Sequence, residues 1–428
     1  MKRFRIVIAI IAILTTHLVS IPAAQAAVCV SNKSTFTGNG SIGLSNVVYT
    51  VESFTSVVAG CTWTVPAGVI RVDALVIGGG GGGGSWVGAG GGAGAMIDTT
   101  SLTVTPGASI SITVGDGGVG SITDDSVGQR YQAYGASGSN SIFNGITASG
   151  GGVGASWNQA AGNGGSGGGA SGNVGSSVGT KLNALYGNDG GASNANYVYG
   201  YPTGGGGGAG AVGGAAYLVS GQPSTSGAGG AGKVSTITGS SVTYAGGGGG
   251  GCHNNGSYIC SAGAGGSGGG GAGDAWGASH LIVTGASGAS NTGGGGGGSG
   301  GPYYNPGTSS TGGKGGSGVV IVRYISNLVL NPALGSGRVN ATTATYRAPT
   351  AFTINAPVTG KATFYERGKV ISTCKNRNAV AGGTVTCTWK PSVRGRVLLR
   401  VDYFQTGSTT LLERSNFEVW VNNRSGAR

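Results

Sequence analysis

The chain has 428 residues and a formal net charge of +12. Only 8% of its residues are charged, and 98 of the 428 residues are glycine. Glycine loses more backbone freedom on folding than any other residue, at a cost of roughly 0.5–1 kcal/mol relative to alanine in a helix or strand. This composition excludes a helix bundle or an ordinary sheet as the whole protein. It predicts either disorder or a packing that only glycine can enter.

Residues 1–26 have the pattern of a secretory signal peptide. A positively charged start is followed by a short apolar core at 6–14, and the Ala-Gln-Ala at 24–26 fits the small-residue cleavage rule. The apolar core is short for a membrane span, although an uncleaved anchor is the alternative. We therefore predict a mature chain that begins at Ala27, is secreted through the general export pathway, and is extracellular or at the cell surface.

Apolar strand patterns interrupt the glycine-rich region, which argues against disorder. Ile110, Ile112 and Val114 alternate with polar residues, and this spacing places three apolar side chains on one face of a strand. Residues 71–77 alternate similarly, whereas 318–322 form a continuous apolar run suited to a strand buried on both faces. Bulky aromatic residues also recur through the region, and a flexible linker has no use for them.

The glycine runs between these strands need a different ordered form. Collagen is excluded because it requires glycine at every third position and abundant proline, whereas this chain has unbroken runs such as 78–84 and only 11 prolines. The remaining form is the left-handed extended helix with about three residues per turn and no internal hydrogen bonds. Without Cβ atoms, neighbouring helices can pair their buried amides with one another. We predict packed polyglycine II helices.

Three motifs of this region carry a family resemblance. Residues 61–77 lead from Cys61-Thr62-Trp63 through a strand into the first glycine run, residues 104–115 contain Val-Thr-Pro-Gly and a second strand, and residues 312–324 lead from glycine into a closing strand. These motifs resemble the glycine-rich domain of bacterial secreted and phage tail-fibre proteins. The resemblance covers about 60–325 and implies a β-sandwich scaffold with packed polyglycine helices, used for display or adhesion. It brings no catalytic or cofactor-binding residues.

The six cysteines fall into three local pairs. Loop closure and the grouping into domains favour these pairs over the other connectivities, and an oxidising compartment fits the signal peptide. Metal binding is the competing interpretation, but two cysteines with the adjacent His253 leave a structural zinc site one ligand short. We predict no metal and no cofactor. The predicted disulfides are Cys29–Cys61, Cys252–Cys260 and Cys374–Cys387.

The charge is distributed unevenly and marks a second domain over 326–428. Residues 27–325 carry seven Lys or Arg and eight Asp or Glu, whereas 326–428 carry fourteen and four, a net charge of +10. The glycine-rich domain at 60–325 is therefore predicted to follow an N-terminal extension with the first strands at 27–59. The hairpin pattern at 362–371 and the strand pattern at 396–403 resemble bacterial immunoglobulin-like repeats, which implies a small β-sandwich.

The charge of this C-terminal domain has two interpretations. It is either a solvated surface that keeps the domain soluble, or a surface that attracts a polyanion such as an anionic envelope polymer. The predicted polyanion patch consists of Lys375, Arg377, Arg394 and Arg396.

No motif indicates catalysis. The mature chain keeps only His253 and His280, and its Gly-x-Ser-x-Gly matches arise by chance in glycine-rich sequence. We predict a secreted, non-catalytic structural or surface-associated scaffold that binds anionic envelope polymers or surface glycans, with no specific nucleic acid partner and no integral membrane segment in the mature chain. The alternatives are a carbohydrate-binding adhesin and a secreted hydrolase of envelope polymers. The aromatic residues predicted to stack on sugars, or else to pack over the glycine layers, are Trp86, Trp157, Tyr303 and Tyr304.

Overall fold

The computed structural model describes residues 28–38, 47–67, 69–124, 131–157, 159–172, 177–194, 200–218, 223–254, 260–276, 282–301, 309–325, 343–356 and 358–422. These residues form strands, extended glycine segments and a 3-10 turn at Ser372–Cys374, so the predicted all-β class is confirmed. Within these ranges no helix is long and apolar enough to cross a membrane. The predicted signal peptide lies outside the described residues.

The N-terminal extension folds together with the glycine-rich region, since the strand Val47–Phe54 pairs with the strand Val319–Ile325, and the two are described below as one glycine-rich domain with nineteen of the described strands. In chain order they are β1 (Asn32–Gly38), β2 (Val47–Phe54), β3 (Val58–Thr64), β4 (Arg71–Ile77), β5 (Met96–Thr103), β6 (Ser109–Val114), β7 (Ile122–Asp124), β8 (Tyr131–Ala133), β9 (Ser141–Phe143), β10 (Ile146–Ala148), β11 (Ser224–Thr225), β12 (Lys233–Ser235), β13 (Val242–Tyr244), β14 (Cys252–His253), β15 (Cys260–Ser261), β16 (Ala275–Trp276), β17 (Ile282–Thr284), β18 (Ser309–Thr311) and β19 (Val319–Ile325).

Two antiparallel sheets form a β-sandwich at one end of this domain. The first has the strand order β1-β2-β19-β4-β5 and the second has the order β10-β9-β6-β3. Strand β6 alternates as predicted, because Ile110, Ile112 and Val114 enter the core between the sheets while Ser109 and Ser111 are exposed.

The central strands β4 and β19 are covered on both faces. Val76 belongs to the core between the two sheets, whereas Leu75 and Ile77 pack with Ile237 and Tyr244 from the β12–β13 hairpin. Strand β19 is buried along nearly its whole length, which confirms the prediction for 318–322. A strand that is buried on both faces carries a continuous apolar run, because neither face has to meet water.

The glycine segments extend from one end of this sandwich and form a hydrogen-bonded lattice. We define the glycine lattice as the described residues of 78–95, 115–121, 134–140, 149–156, 162–217, 226–232, 245–251, 262–274, 285–301 and 312–318. Along the first segment, 78–84, amides three residues apart donate to the same neighbouring segment. The second acceptor of each pair lies three positions before the first acceptor. The donor and acceptor pairs are 79 with 139, 82 with 136, 80 with 316, 83 with 313, 81 with 92, and 84 with 89, at N···O distances of 2.8 to 3.0 Å.

This period of three residues is the signature of polyglycine II helices, and the first segment runs antiparallel to these three neighbours. The segment also accepts hydrogen bonds from three further segments, 115–121, 149–156 and 293–299, to which it runs parallel. Buried backbone without α-helical or ladder bonding therefore finds its partners on six sides. Glycine is required because the helices touch through their backbones. A Cβ atom on Gly81, for example, would lie 2.1 Å from the Gly152 carbonyl oxygen.

The C-terminal domain is a second, smaller β-sandwich. Its sheets have the orders β20-β27-β26-β22-β23, with β24 also paired to β22, and β21-β25, around a core that includes Phe352, Phe364, Trp389 and Tyr403. Its strands are β20 (Thr343–Thr345), β21 (Thr350–Asn355), β22 (Gly360–Glu366), β23 (Lys369–Val370), β24 (Arg377–Ala379), β25 (Thr384–Trp389), β26 (Gly395–Phe404) and β27 (Leu411–Asn422).

The two domains touch through the outer face of β26 and β27. Leu398 on β26 is only 1% exposed because it packs against Tyr49 and Ile325 of the glycine-rich domain. The Arg71 guanidinium lies 4.2 Å above the ring of Trp420 on β27, in the geometry of a cation–π contact. The contact therefore combines apolar packing with one aromatic–cation pair.

Candidate functional site

The end of the lattice far from the sandwich carries a layer of buried hydroxyl groups. At this end the glycine helices finish and their last amides have no further helix to pair with, so side-chain oxygens take that role. Ser156 Oγ accepts the Ser85 amide at 3.1 Å, and Ser310 Oγ accepts the Trp86 amide at 3.0 Å. We call this the hydroxyl layer, and its members, all at most 4% exposed, are Ser85, Thr123, Ser156, Ser171, Thr203, Ser226, Ser299 and Ser310.

The hydroxyl groups also bond to one another and to the last carbonyls. Thr203 Oγ1 donates to the Gly251 carbonyl at 2.7 Å, and the Ser299 and Ser310 hydroxyls are 2.8 Å apart. A buried polar group without a partner costs about 1–3 kcal/mol, so this layer closes the lattice at low cost. It separates the rigid interior from the chain segments beyond, which we call the loop end.

A row of aromatic rings lies directly beyond the hydroxyl layer. The rings of Trp86 and Trp157 are 4.9 Å apart, Tyr201 meets Trp157 edge-on at 5.5 Å, and His253 follows Tyr201 at 6.3 Å. The backbone here is strained, because Trp86, Val87 and Tyr201 have φ angles of 48°, 59° and 47°. Non-glycine residues in this region cost about 1–3 kcal/mol each and cluster at binding sites and clamps. The loop end is therefore the candidate functional site of the glycine-rich domain.

His253 is a buried titratable group at this site. It is 7% exposed, its Nδ1 has no hydrogen-bond partner among the described residues, and its ring bonds to the Gly301 backbone. Burial lowers the pKa of His253, and the Gly301 bond opposes this shift without cancelling it. The neighbouring Cys252–Cys260 disulfide connects β14 to β15 and fixes this corner of the loop end.

The predicted sugar-stacking aromatics differ in their exposure to solvent. Trp86 is 3% exposed, so its ring packs against Trp157 and offers no free face; its assignment as a ligand-stacking residue is wrong. Trp157 is half-buried at the surface of the same row. Tyr303 and Tyr304 lie outside the described residues.

All three predicted disulfides are present in the structure. Cys29–Cys61 joins the N-terminal extension to β3, Cys252–Cys260 lies at the loop end, and Cys374–Cys387 ties the 3-10 turn to β25. Such bonds are compatible with an extracellular protein. Over the described part of the chain, no group of three or more His, Cys, Asp or Glu residues could hold a metal ion.

The four residues of the predicted polyanion patch do not gather in one place. Arg377 pairs with Ala362 at one end of β22, and the nearby Lys375 is exposed like Arg377. Glu366, the last residue of β22, pairs with Leu399 of β26. Arg394 and Arg396 precede Leu399 in the chain, so they lie beyond this opposite end of β22. Arg394 stacks 4.6 Å above Tyr346, and Arg396 is partly buried on β26. The prediction of one patch is wrong, since strand register divides its members between two ends of the sheet.

The sequence model of the family described as glycine-rich domain matches residues 55–325, more than half of the chain. The chain belongs to the glycine-rich domain family. Within this glycine-rich domain, the matched region includes the lattice, the hydroxyl layer and the aromatic row. No curated protein sequence matches the chain.

Sequence patterns alone did not identify the hydroxyl layer. Its signal is a Ser or Thr at the point where a glycine run ends and a non-glycine segment begins, as at Ser85 after 78–84 and Ser299 after 293–298. Isolated serines in glycine-rich sequence are common, so the pattern becomes informative only when it recurs at the same level of several helices.

Proposed function

We propose that this protein is an exported, non-catalytic, surface-associated scaffold that displays the loop end and is tethered by its basic C-terminal domain. The lattice carries this proposal: successive residues of each helix bond to different neighbours, so no segment can move without breaking bonds to several others. Export is supported by the signal-like residues 1–26 and by the three disulfides. The C-terminal sandwich acts as an immunoglobulin-like tether to anionic envelope polymers.

Hydrogen exchange tests the scaffold, because interlocked amides exchange only when the lattice opens. We expect strong protection across the described residues of 78–318 in the purified protein, with the exposed turn at 405–410 as an internal control that exchanges quickly. Fractionation of the producing cells should place the protein in the medium or at the surface. Free-chain exchange across the glycine runs, or retention in the cytoplasm, would contradict the proposal.

A carbohydrate-binding adhesin is the second candidate, favoured by the aromatic row and its strained backbone. Aromatic faces at a rigid surface suit stacking on sugars, and Trp157 and Tyr201 are the described members of the row that are only half-buried. A glycan array should then show sugar-specific binding that is lost in Trp157→Ala and in the double variant Tyr303→Ala/Tyr304→Ala. Tyr346→Ala, in the other domain, is the matched control. Equal binding by all variants argues against the adhesin.

A further inference from the structure

The hairpin between β22 and β23 carries a concentration of positive charge. Arg367 and Lys369 are exposed at this hairpin, and Lys390 is exposed where β25 ends. The three residues line one groove of about 780 Å³, whose remaining wall includes hydroxyl side chains. The exposed hydroxyl-bearing residues of this groove are Ser372, Thr373, Thr388 and Ser392.

A second groove of about 670 Å³ lies on the other side of the same hairpin. Lys361 and Lys375 line it, and Val370 borders both grooves. We call the two grooves together the hairpin surface, defined by its five cations Lys361, Arg367, Lys369, Lys375 and Lys390.

The two acidic side chains that the structure describes in this domain, Asp402 and Glu366, do not pair with the cations of the hairpin surface. Asp402 is engaged by Arg400 and Arg414 on β26 and β27, at 3.3 and 2.7 Å. Glu366, the acidic residue that lines the first groove, accepts bonds from the Trp389 indole and the Ser392 amide. In the described structure, the side chains of Arg367, Lys369, Lys375 and Lys390 have no hydrogen bond or ion pair with another residue.

The arrangement of these cations indicates the shape of the ligand. They are spread along both sides of a hairpin and do not converge on one point, so a small anion would meet few of them at a time. A chain with repeated anionic groups would meet several together, and like charges held apart on an open surface attract such a chain over a long range.

The surroundings of the cations indicate the chemistry of the ligand. Single-stranded nucleic acid is bound through aromatic stacking platforms, but Trp389 is 2% exposed and Tyr365 is covered by the Arg400 guanidinium at 4.0 Å. The groove instead offers hydroxyl groups beside its cations, which suit a ligand that carries both hydroxyl and acidic groups.

We propose that the hairpin surface binds an acidic polysaccharide whose repeated carboxylate, sulfate or phosphate groups pair with these cations. This inference rests on the proposed tethering function and specifies its partner. It replaces the patch of Lys375, Arg377, Arg394 and Arg396 by residues that the fold brings to one surface.

The test compares three forms of the full chain in binding to polygalacturonate, dextran sulfate, neutral dextran and single-stranded DNA across a range of salt concentrations. The groove variant is Lys369→Gln/Lys375→Gln/Lys390→Gln, three exposed positions with no described partner. Arg367 is left unchanged because its φ of 50° belongs to the hairpin turn. The control variant Lys181→Gln/Lys233→Gln/Lys314→Gln removes the same charge from the glycine-rich domain.

We expect the unmodified chain and the control variant to bind both acidic polysaccharides at low salt and not to bind neutral dextran. An exposed charge contact contributes about 0.2–1 kcal/mol, so the groove variant should bind between about 3-fold and 100-fold more weakly. Its dependence on salt should also fall. Equal loss in both variants, no binding at low salt, or tighter binding of DNA than of the polysaccharides would overturn the proposal. Hydrogen exchange and cell fractionation test the scaffold and its export separately. Those two parts of the proposed function can therefore hold even if polysaccharide binding fails.

Discussion

The substitution Gly81→Ala probes whether the lattice depends on the absence of side chains. Gly81 lies inside the lattice, where its amide donates to Gly92 at 2.8 Å and its carbonyl accepts from Gly296 at 2.9 Å. The new methyl group would lie 2.1 Å from the Gly152 carbonyl oxygen, which itself accepts the Gly92 amide at 2.8 Å. Because the obstacle is backbone, no side-chain rotation can relieve the contact.

The size of the effect follows from these contacts. An ordinary carbon–oxygen contact begins near 3.4 Å, so one helix must move by roughly 1 Å, which stretches two or three hydrogen bonds beyond useful length. Each buried group left without a partner costs about 1–3 kcal/mol, and we expect a total loss of about 3–6 kcal/mol in the free energy of unfolding.

Denaturant unfolding of the purified protein measures this loss, with Gly107→Ala as the matched control. Gly107 has a φ of 77°, and a Cβ atom added to it would have no other atom within 4 Å. Its substitution therefore carries only the left-handed backbone penalty of about 1–2 kcal/mol. If Gly81→Ala costs no more than Gly107→Ala, the helices are not in backbone contact and the reasoning fails.

Two further predictions concern the disulfides and pH. Replacing both Cys374 and Cys387 by Ser should lower the unfolding free energy of the C-terminal sandwich by about 3 kcal/mol, since the bond closes a loop of 13 residues; an unchanged denaturation midpoint would contradict this. Because burial lowers the pKa of His253, the unfolded chain takes up a proton as the pH falls through about 6.5 while the folded chain resists it, so stability is lost on acidification. His253→Gln should remove this loss between pH 7 and 5 in thermal unfolding, and identical pH profiles would refute the assignment. Asp189, whose pKa is lowered by Lys181, loses its contribution only below its ordinary value of 3.8 and does not interfere.

The strands could be predicted from the sequence, whereas the partners of the glycine runs could not. Alternation along 109–114 and the apolar run of β19 report burial directly, because each side chain either enters a core or meets water. Glycine has no side chain, so its position in the sequence does not indicate whether it is buried. That Gly81 donates to Gly92 while Gly80 donates to Gly316 depends on which helices lie side by side, and identical residues cannot encode that choice.

The basic surface of the C-terminal domain and the aromatic row at the loop end could be predicted only in part, because tertiary contacts decide which residues come together. Composition indicated a basic C-terminal domain, but the register of β22 against β24 and β26 decided which cations share a surface, and it separated Arg377 from Arg396. The sequence left open whether Trp86 stacks on a ligand or packs over the glycine layers. Its burial depends on Trp157, which is distant in sequence and adjacent in space.

The hydroxyl layer divides the glycine-rich domain into parts that tolerate change very differently. Below it, backbone from neighbouring segments crowds nearly every described glycine, so a side chain has no room there. Beyond it, a connecting segment can lengthen, shorten or exchange its residues without disturbing the helices that it joins, because those helices already end on serine and threonine oxygens. A lineage that carries this framework can therefore vary what it presents to its surroundings while the framework itself stays the same.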